Sequence, residues 1–484
     1  MENRFVPSTP SSSTGLLAGL LSLSALLLPH LAAADYYDDI GFRQLQARLG
    51  AATPTGAGVL VVQAEGEQVL NGVATWAPDP GTAEFRGTTI TDRSGAPAGV
   101  YSGHATAVGT FLYGQRTSIA PGRTSVNVYA AGDWIGPGFL RAAGPGAPQP
   151  LSAQARVANH SWVGNAEAGT TDSLRRLDWV IARDEFVNVV GLTNGGANPP
   201  LLSSAYNVIA VGRSDGMHGH GTPRVDSTYV AGRVRPDLVA PGAVTSETTP
   251  KVAAAVRLLI ETGHANARLS SDPVVVSMQN RAGGTVRNAE RSEVIKAALM
   301  AGALRIADYR QAPLSQAGNG LDVRVGAGQL NVWNSYQIIA AGEQNSLEDR
   351  PGGAGAVAAT GWDYDPRFGG AAGGNTVATY YLPTPAADSK LIVALVWNLQ
   401  VDGGTPGSFD GSATLFDVDL QLRDLTTAAR PVTVETSRSK TENSEHLWLP
   451  IRAGRQYVLE VLRPATQLAF DWDFALAWRT ERLP

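Results

Sequence analysis

Gly103-His104-Ala105-Thr106-Ala107-Val108-Gly109 is the stretch from which the rest of the chain is best read. A histidine opens a run of small residues, so a second group can come close to its ring. Three polar landmarks follow in order: Ser161-Trp162-Val163-Gly164, Asn194-Gly195 and Thr245-Ser246-Glu247-Thr248-Thr249-Pro250. A carboxylate, Glu65, precedes the histidine at the end of the apolar run that starts Val59 to Val62. A serine hydroxyl is a poor nucleophile until a base takes its proton. The base needs an acid to orient it, and the tetrahedral oxyanion needs donors. Acid, histidine, amide and serine in this order supply each part.

The surrounding pattern predicts a scaffold able to gather them. Strand-like runs at Val59–Val62, Ser125–Tyr129, Arg156–Ala158, Phe186–Val190 and Asn207–Val211 alternate with helical patterns at His104–Tyr113, Leu174–Asp184, Pro250–Thr262 and Arg291–Ala301. Such alternation implies a mostly parallel sheet flanked by helices. Its strand C-termini and helix N-termini line one rim. Glu65 is expected at a strand end there, His104 in the first turn of a helix, and Ser246 just before the helix that Pro250 opens. In that place the Ser246 N–H faces a developing oxyanion. Pro250 suits a first helical turn and Gly263 a C-terminal stop.

These segments resemble the subtilisin-like serine proteases, or subtilases. His104 to Gly109 is similar to that family's histidine motif, and Ser118-Ile119-Ala120-Pro121-Gly122 to the segment that follows it. Asn159 to Gly164 resembles the strand that holds the substrate backbone, and Val189 to Asn194 the strand ending in the oxyanion-hole asparagine. Asn207 to Gly212, Arg235 to Gly242 and Gly326-Ala327-Gly328-Gln329-Leu330-Asn331 match further family segments, and Thr245 to Pro250 resembles the nucleophile motif. The likeness covers Gly58 to Tyr336. It implies a serine endopeptidase acting through an acyl-enzyme, with a Glu65–His104–Ser246 triad and Asn194 at the oxyanion. It also implies that Ser161, Trp162, Val163 and Gly164 form an edge strand against the substrate, and that no cofactor and no metal take part. The chain departs from the pattern in having Glu65 where the family has Asp, Val244 for Gly and Lys251 for His. Only Ala243, Val244 and Thr245 separate Gly242 from Ser246. Asp35 to Gly58 is too short for the family's propeptide domain. These departures leave a second reading: a catalytically impaired subtilase fold serving as a binding or adhesion module.

Other residues compete for the same chemistry. Glu67 and Asp92 are alternatives to Glu65, and an N-cap serine is the plain alternative for Ser246. Asn194 before Gly195-Gly196 also suits a turn. Gly212-Arg213-Ser214-Asp215-Gly216 fits a nucleophile elbow, but Met217 to Pro223 is poor material for the helix an elbow needs. His218 and His220 are at strand spacing, and Asp417 and Asp419 alternate along a strand. Each pair is a possible metal site that lacks a third ligand at metal spacing, so loop and wet-face roles are expected instead.

Composition sets the outer bounds. The chain has 484 residues, 43% of them hydrophobic, enough for one large core and a second. Net charge is −5 with no basic run, which argues against a nucleic-acid partner; a polypeptide substrate is what the resemblance implies. Arg4, the apolar run Leu16 to Leu28 and Ala32-Ala33-Ala34 read as an export signal cleaved before Asp35. The mature chain is therefore expected to be secreted or periplasmic, with no stable membrane insertion. The absence of cysteine makes an oxidising compartment immaterial to the fold. The expected organisation is 1–34 signal peptide, 35–345 subtilase-like α/β domain, 346–375 Gly/Ala-rich linker and 376–484 β-sandwich. The sandwich is read from about seven short strands between Gly and Pro turns. In one of them Val418, Leu420 and Leu422 face one side, with Asp417, Asp419 and Gln421 on the other.

Overall fold

A computed structural model describes residues 32–144, 146–164, 170–199, 201–305, 318–349, 355–427 and 429–483. The apolar run read as an export signal lies outside the described residues. Helices α1 (Ala32–Asp39) and α2 (Phe42–Leu49) lead into β1 (Val61–Glu65), the hairpin β2 (Gln68–Leu70) and β3 (Val73–Thr75), then β4 (Thr89–Asp92) and α3 (Gly103–Tyr113). β5 (Ser125–Ala130), α4 (Ala131–Ile135), β6 (Val157–His160), α5 (Thr170–Asp184), β7 (Val187–Gly191), β8 (Ile209–Arg213), β9 (Leu238–Ala240) and α6 (Thr245–Ala265) follow. β4-β5-β1-β6-β7-β8-β9 is the order of a seven-stranded sheet, and every neighbouring pair in it is parallel.

Strands β1, β6 and β7 are buried along their whole length. This is expected of parallel strands covered on both faces, whose sequences run apolar rather than alternate. Helix α6 is buried from Thr248 through Ile260 and packs against the sheet. Its close approach to β7 requires Gly191, where a Cβ would come within 2.8 Å of Thr249 Oγ1. α1 and α2 belong to this core: Tyr36, Ile40, Phe42 and Leu45 are all buried in it.

The all-β part joins the α/β part through a shared core. After the hairpin β10 (Ser277–Gln279) and β11 (Thr285–Arg287) come α7 (Ser292–Gly302) and α8 (Val332–Ala340). Then follow β12 (Thr360–Phe368), β13 (Val377–Tyr381), β14 (Ser389–Val396), the short pair β15 (Gln400–Val401) and β16 (Ala413–Thr414), and β17 (Asp419–Asp424). β18 (Val432–Ser437), β19 (Ser444–Ile451), β20 (Tyr457–Leu462) and β21 (Trp472–Arg482) complete the chain. Two antiparallel sheets, β12-β21-β14-β19 and β13-β20-β17-β18, face each other across a core that includes Val393, Leu395, Leu420, Leu459 and Trp478. Trp362, Tyr364, Ala394, Val396, Ala475 and Ala477 of the first sheet belong instead to the core of the α/β part. Helix α7, with every residue buried, lies between the two. Residues 346–375, read as a linker, therefore contain the nine-residue strand β12, and the Gly/Ala composition of their flanks hid it.

Arg479 of β21 closes the junction. Its Nε donates to Ala301 O at 2.8 Å and its Nη2 to Ala303 O at 3.1 Å, satisfying carbonyls left over at the end of α7. Replacing it in Arg479→Met keeps the apolar stem and removes both donors. The expected loss is roughly 2 kcal/mol of stability, read as a lower urea midpoint with unchanged slope. A chain ending at residue 345 should leave α7 uncovered and be recovered only as aggregate, whereas a tethered module would leave soluble, cooperatively melting protein.

Candidate active site

The site sits at the rim where the parallel strands end. Glu65 closes β1 and is fully buried. His104 is the second residue of α3, a helix capped by the Ser102 hydroxyl, which accepts from the Ala105 N–H at 3.0 Å. His104 Nδ1 and Glu65 Oε2 are 3.0 Å apart. Burial alone would lower the His104 pKa. The hydrogen bond and negative charge of Glu65 outweigh it, and the pKa stands above its ordinary 6.5. The extra methylene of Glu65 is thus absorbed without losing contact with the ring. Its other oxygen, Oε1, accepts from Gln63 Nε2 at 2.8 Å, and the same amide donates to Ala105 O at 2.8 Å. Tyr113 completes the chain by donating to Gln63 Oε1 at 2.6 Å. Gln63 and Tyr113 did not stand out in the sequence. The available signal was a lone polar residue two positions before Glu65, which a strand places on the same face.

Helix α6 starts at Thr245, five residues before Pro250. Ser246 therefore lies within the first turn, not ahead of the helix as Pro250 suggested, and the helix runs past Gly263 to Ala265. Proline has no N–H for the carbonyl four residues back, so the Ser246 C=O is left without its intrahelical donor. The Thr245 N–H donates to Asn194 Oδ1 at 2.7 Å, and its hydroxyl donates to Leu192 O at 2.5 Å. Because Thr245 N is a donor, the amide atom facing it is the oxygen, and among the described residues Asn194 Nδ2 makes no hydrogen bond. Among the described residues neither the Ser246 N–H nor the Ser246 hydroxyl makes a hydrogen bond. The structure thus joins Glu65 to His104 and Asn194 to the start of α6, but no hydrogen bond links His104 to Ser246.

The short connection into α6 is braced by two side chains of that helix, Glu247 and Lys251. Glu247 Oε2 accepts from the Ala243 N–H at 2.8 Å, and Lys251 Nζ reaches Glu247 Oε1 at 2.7 Å and Pro241 O at 2.8 Å. Burial lowers the Lys251 pKa, with Glu247 opposing the shift.

Ser161 to Gly164 prolong β6 beyond its last paired residue, His160. β6 lies between β1 and β7, so this is not an edge strand of the sheet as expected; only its extension is unpaired. Among the described residues the backbone groups of Trp162, Val163 and Gly164 make no hydrogen bond. A shallow, mostly apolar recess opens beside them, lined by Trp162, Val190, Pro199, Leu201 and Leu202. Under the extension His160 is held neutral: burial pushes its pKa down to about 4, against a hydrogen bond of Nε2 with Asn188 Oδ1 at 2.9 Å.

The competitors lie elsewhere. Asp92 accepts from Trp76 Nε1 at 3.2 Å and from the turn amides of Ser94 and Ala96, while Glu67 is exposed. The Ser214 stretch is a turn with no helix after it. Both ring nitrogens of His218 are engaged, by the Arg213 N–H at 3.0 Å and Arg324 O at 2.7 Å.

No family model matches the chain, and no curated protein does. Among solved structures it is similar to a prenylagaramide maturation protease at 16% identity, over 61% of this chain and 98% of that one, with a TM-score of 0.39. It is also similar to a protease of Pseudoalteromonas arctica at 13% identity, over 63% of this chain and 96% of that one, again with a TM-score of 0.39. Both neighbours are proteases, but superpositions this loose transfer no residue role.

A base must be neutral to accept a proton, so a raised His104 pKa moves the acidic limb of activity upward. kcat/KM is expected to rise with pH through an inflection above 6.5. Glu65→Gln removes the charge and leaves burial, so the inflection should move below the wild-type value. The rate should fall on the order of 10³- to 10⁴-fold as the imidazole loses its orienting acid. A pH–rate profile of both proteins reads the two effects.

Proposed function

We propose that the chain is an exported serine endopeptidase of the subtilase type. The observation that carries this reading is the buried Glu65 carboxylate on His104 Nδ1, at the rim where Asn194 fixes the first turn of α6. Ser246 Oγ attacks the scissile carbonyl while His104 Nε2 takes its proton. The Cα-amide nitrogen of the leaving chain receives that proton as the acyl-enzyme forms. Water then repeats the sequence, giving its proton to His104 and its oxygen to the acyl carbon, and Ser246 recovers its hydrogen. Glu65 holds the ring in the tautomer that presents Nε2 and balances the imidazolium. Asn194 Nδ2 and the Ser246 N–H, both free donors, receive the oxyanion; one such donor is worth roughly 3 kcal/mol in the transition state. The unpaired backbone of Trp162 to Gly164 pairs with an extended polypeptide, a mode that tolerates many sequences. The recess beside it takes an apolar side chain from the acyl side.

The unbonded Ser246 hydroxyl favours the second reading, a subtilase fold that only binds. The two separate on one residue. Ser246→Ala should lower hydrolysis of a denatured protein by roughly 10⁴- to 10⁶-fold, and Asn194→Ala by about 10²- to 10³-fold. A fluorophosphonate should label wild type at Ser246 and leave Ser246→Ala unlabelled. Hydrolysis that persists in Ser246→Ala removes the mechanism. A protein that neither reacts with the probe nor cleaves is the binder.

A further inference from the structure

The hairpin that follows Glu65 carries apolar side chains in water beside His104. Val69 is 69% exposed, Leu70 38%, Val73 37% and Tyr101 38%. The hairpin is built firmly. Asn71 and Gly72 have φ of 51° and 81°, the pair of positive values that a two-residue turn of this type demands. Gln68 pairs with Thr75 and Leu70 with Val73, so these four side chains share one face. At the inner end that face is bolted to the entry of the histidine helix: the Ser102 hydroxyl donates to Gln68 Oε1 at 2.6 Å, and the Thr75 hydroxyl to Val100 O at 2.8 Å. Tyr101 lies between these two anchors. Leu70 and Val73 continue the same face outward to the Asn71-Gly72 turn.

We propose that this ledge of Leu70, Val73 and Tyr101 binds apolar side chains of the substrate on the leaving-group side of the scissile bond. The inference rests on the peptidase reading above. In that reading the acyl side of the substrate pairs along the extension of β6, and His104 hands a proton to the departing amine. On this proposal the departing chain crosses His104 and meets the hairpin attached to β1, whose Gln68 Oε1 lies 3.5 Å from the His104 backbone nitrogen. An apolar face prepositioned there gains by covering apolar side chains and pays no ordering cost.

The test uses three substrates with one acyl side: a peptide with Leu at the second and third positions after the bond, the same peptide with Ser there, and an anilide with no peptide leaving group. Wild type should prefer the Leu peptide by roughly five- to tenfold in kcat/KM. Leu70→Thr/Val73→Thr keeps strand-forming residues and should abolish that preference through KM while anilide hydrolysis stays unchanged. Leu70→Ile/Val73→Ile should restore the preference. A Thr variant that retains it overturns the ledge alone, because the anilide still reports a working peptidase. A change in sedimentation with the preference intact likewise overturns it and makes the face a contact between copies. Failure of wild type to hydrolyse the anilide overturns the peptidase reading, and this inference with it.

Discussion

A buried guanidinium sets the distance between the two halves of the site. Arg257 lies in the fully buried stretch of α6, and its Nη1 donates to Leu112 O and Ala120 O, both at 2.8 Å. Its Nη2 donates to Gly56 O at 2.8 Å and Gly122 O at 3.2 Å. Leu112 is in the last turn of α3, where carbonyls lack intrahelical donors. A single side chain of the serine helix therefore closes the end of the histidine helix and fixes one against the other. Burial pushes its pKa down to about 10, which leaves it charged at neutral pH. Four carbonyl dipoles replace the water it gave up. His104 and Ser246 begin the same two helices, so their separation is inherited from a contact deep in the core.

The acid end is organised on the same principle. A fully buried carboxylate is costly unless its oxygens are met. Glu65 gives one to His104 and the other to Gln63, which is itself held by Tyr113 and the Ala105 carbonyl. A longer side chain than aspartate is tolerated because a neighbour on the same strand face takes up the second oxygen.

Much of this was legible in the sequence, for local reasons. Five of the seven sheet strands lie within a few residues of the apolar runs that alternate with helical ones; the short strands β4 and β9 were not among those runs. Glu65 and His104 meet because a strand end and a helix start have fixed places on a parallel rim. The start of α6 was misread because Pro250 is a strong helix-opening signal. In this chain it occupies the second turn, where tertiary packing of Thr245 against Leu192 and Asn194 decides the boundary. Strand β12 was missed because Gly and Ala around it imitate a linker. Its own residues Trp362, Tyr364 and Phe368 needed the knowledge that a helix, α7, lay waiting to be covered. Gln63 left one trace, its place two positions before Glu65 on the same strand face; Tyr113 and Arg257 left none, because their partners are 50 to 201 positions away.

That last kind of contact also explains why the β-sandwich is part of the site's support. Glu442, just before β19, accepts from the Val234 N–H at 2.5 Å and lies 3.9 Å from Arg235 Nη1. Arg235 also faces Asp237 at 3.5 Å, and Lys296 of α7 reaches Asp237 at 3.1 Å. Asp237 in turn accepts from the Ala210 N–H of β8 at 2.7 Å. Each charge in this chain is buried, so removing any one strands its neighbours in a medium that cannot solvate them. Sandwich, α7 and sheet are held in one register by a set of charges that must be satisfied together. The seam carries a pH dependence of its own. Burial pushes Glu343 and Asp365 up to about 7, so both are neutral in acid and are forced to ionise inside the protein above that pH. A group whose folded pKa is raised stabilises the fold below its unfolded value near 4 and loses that contribution as pH rises through 7. The contribution of these two groups to the junction is therefore largest in acid and falls as pH rises through 7.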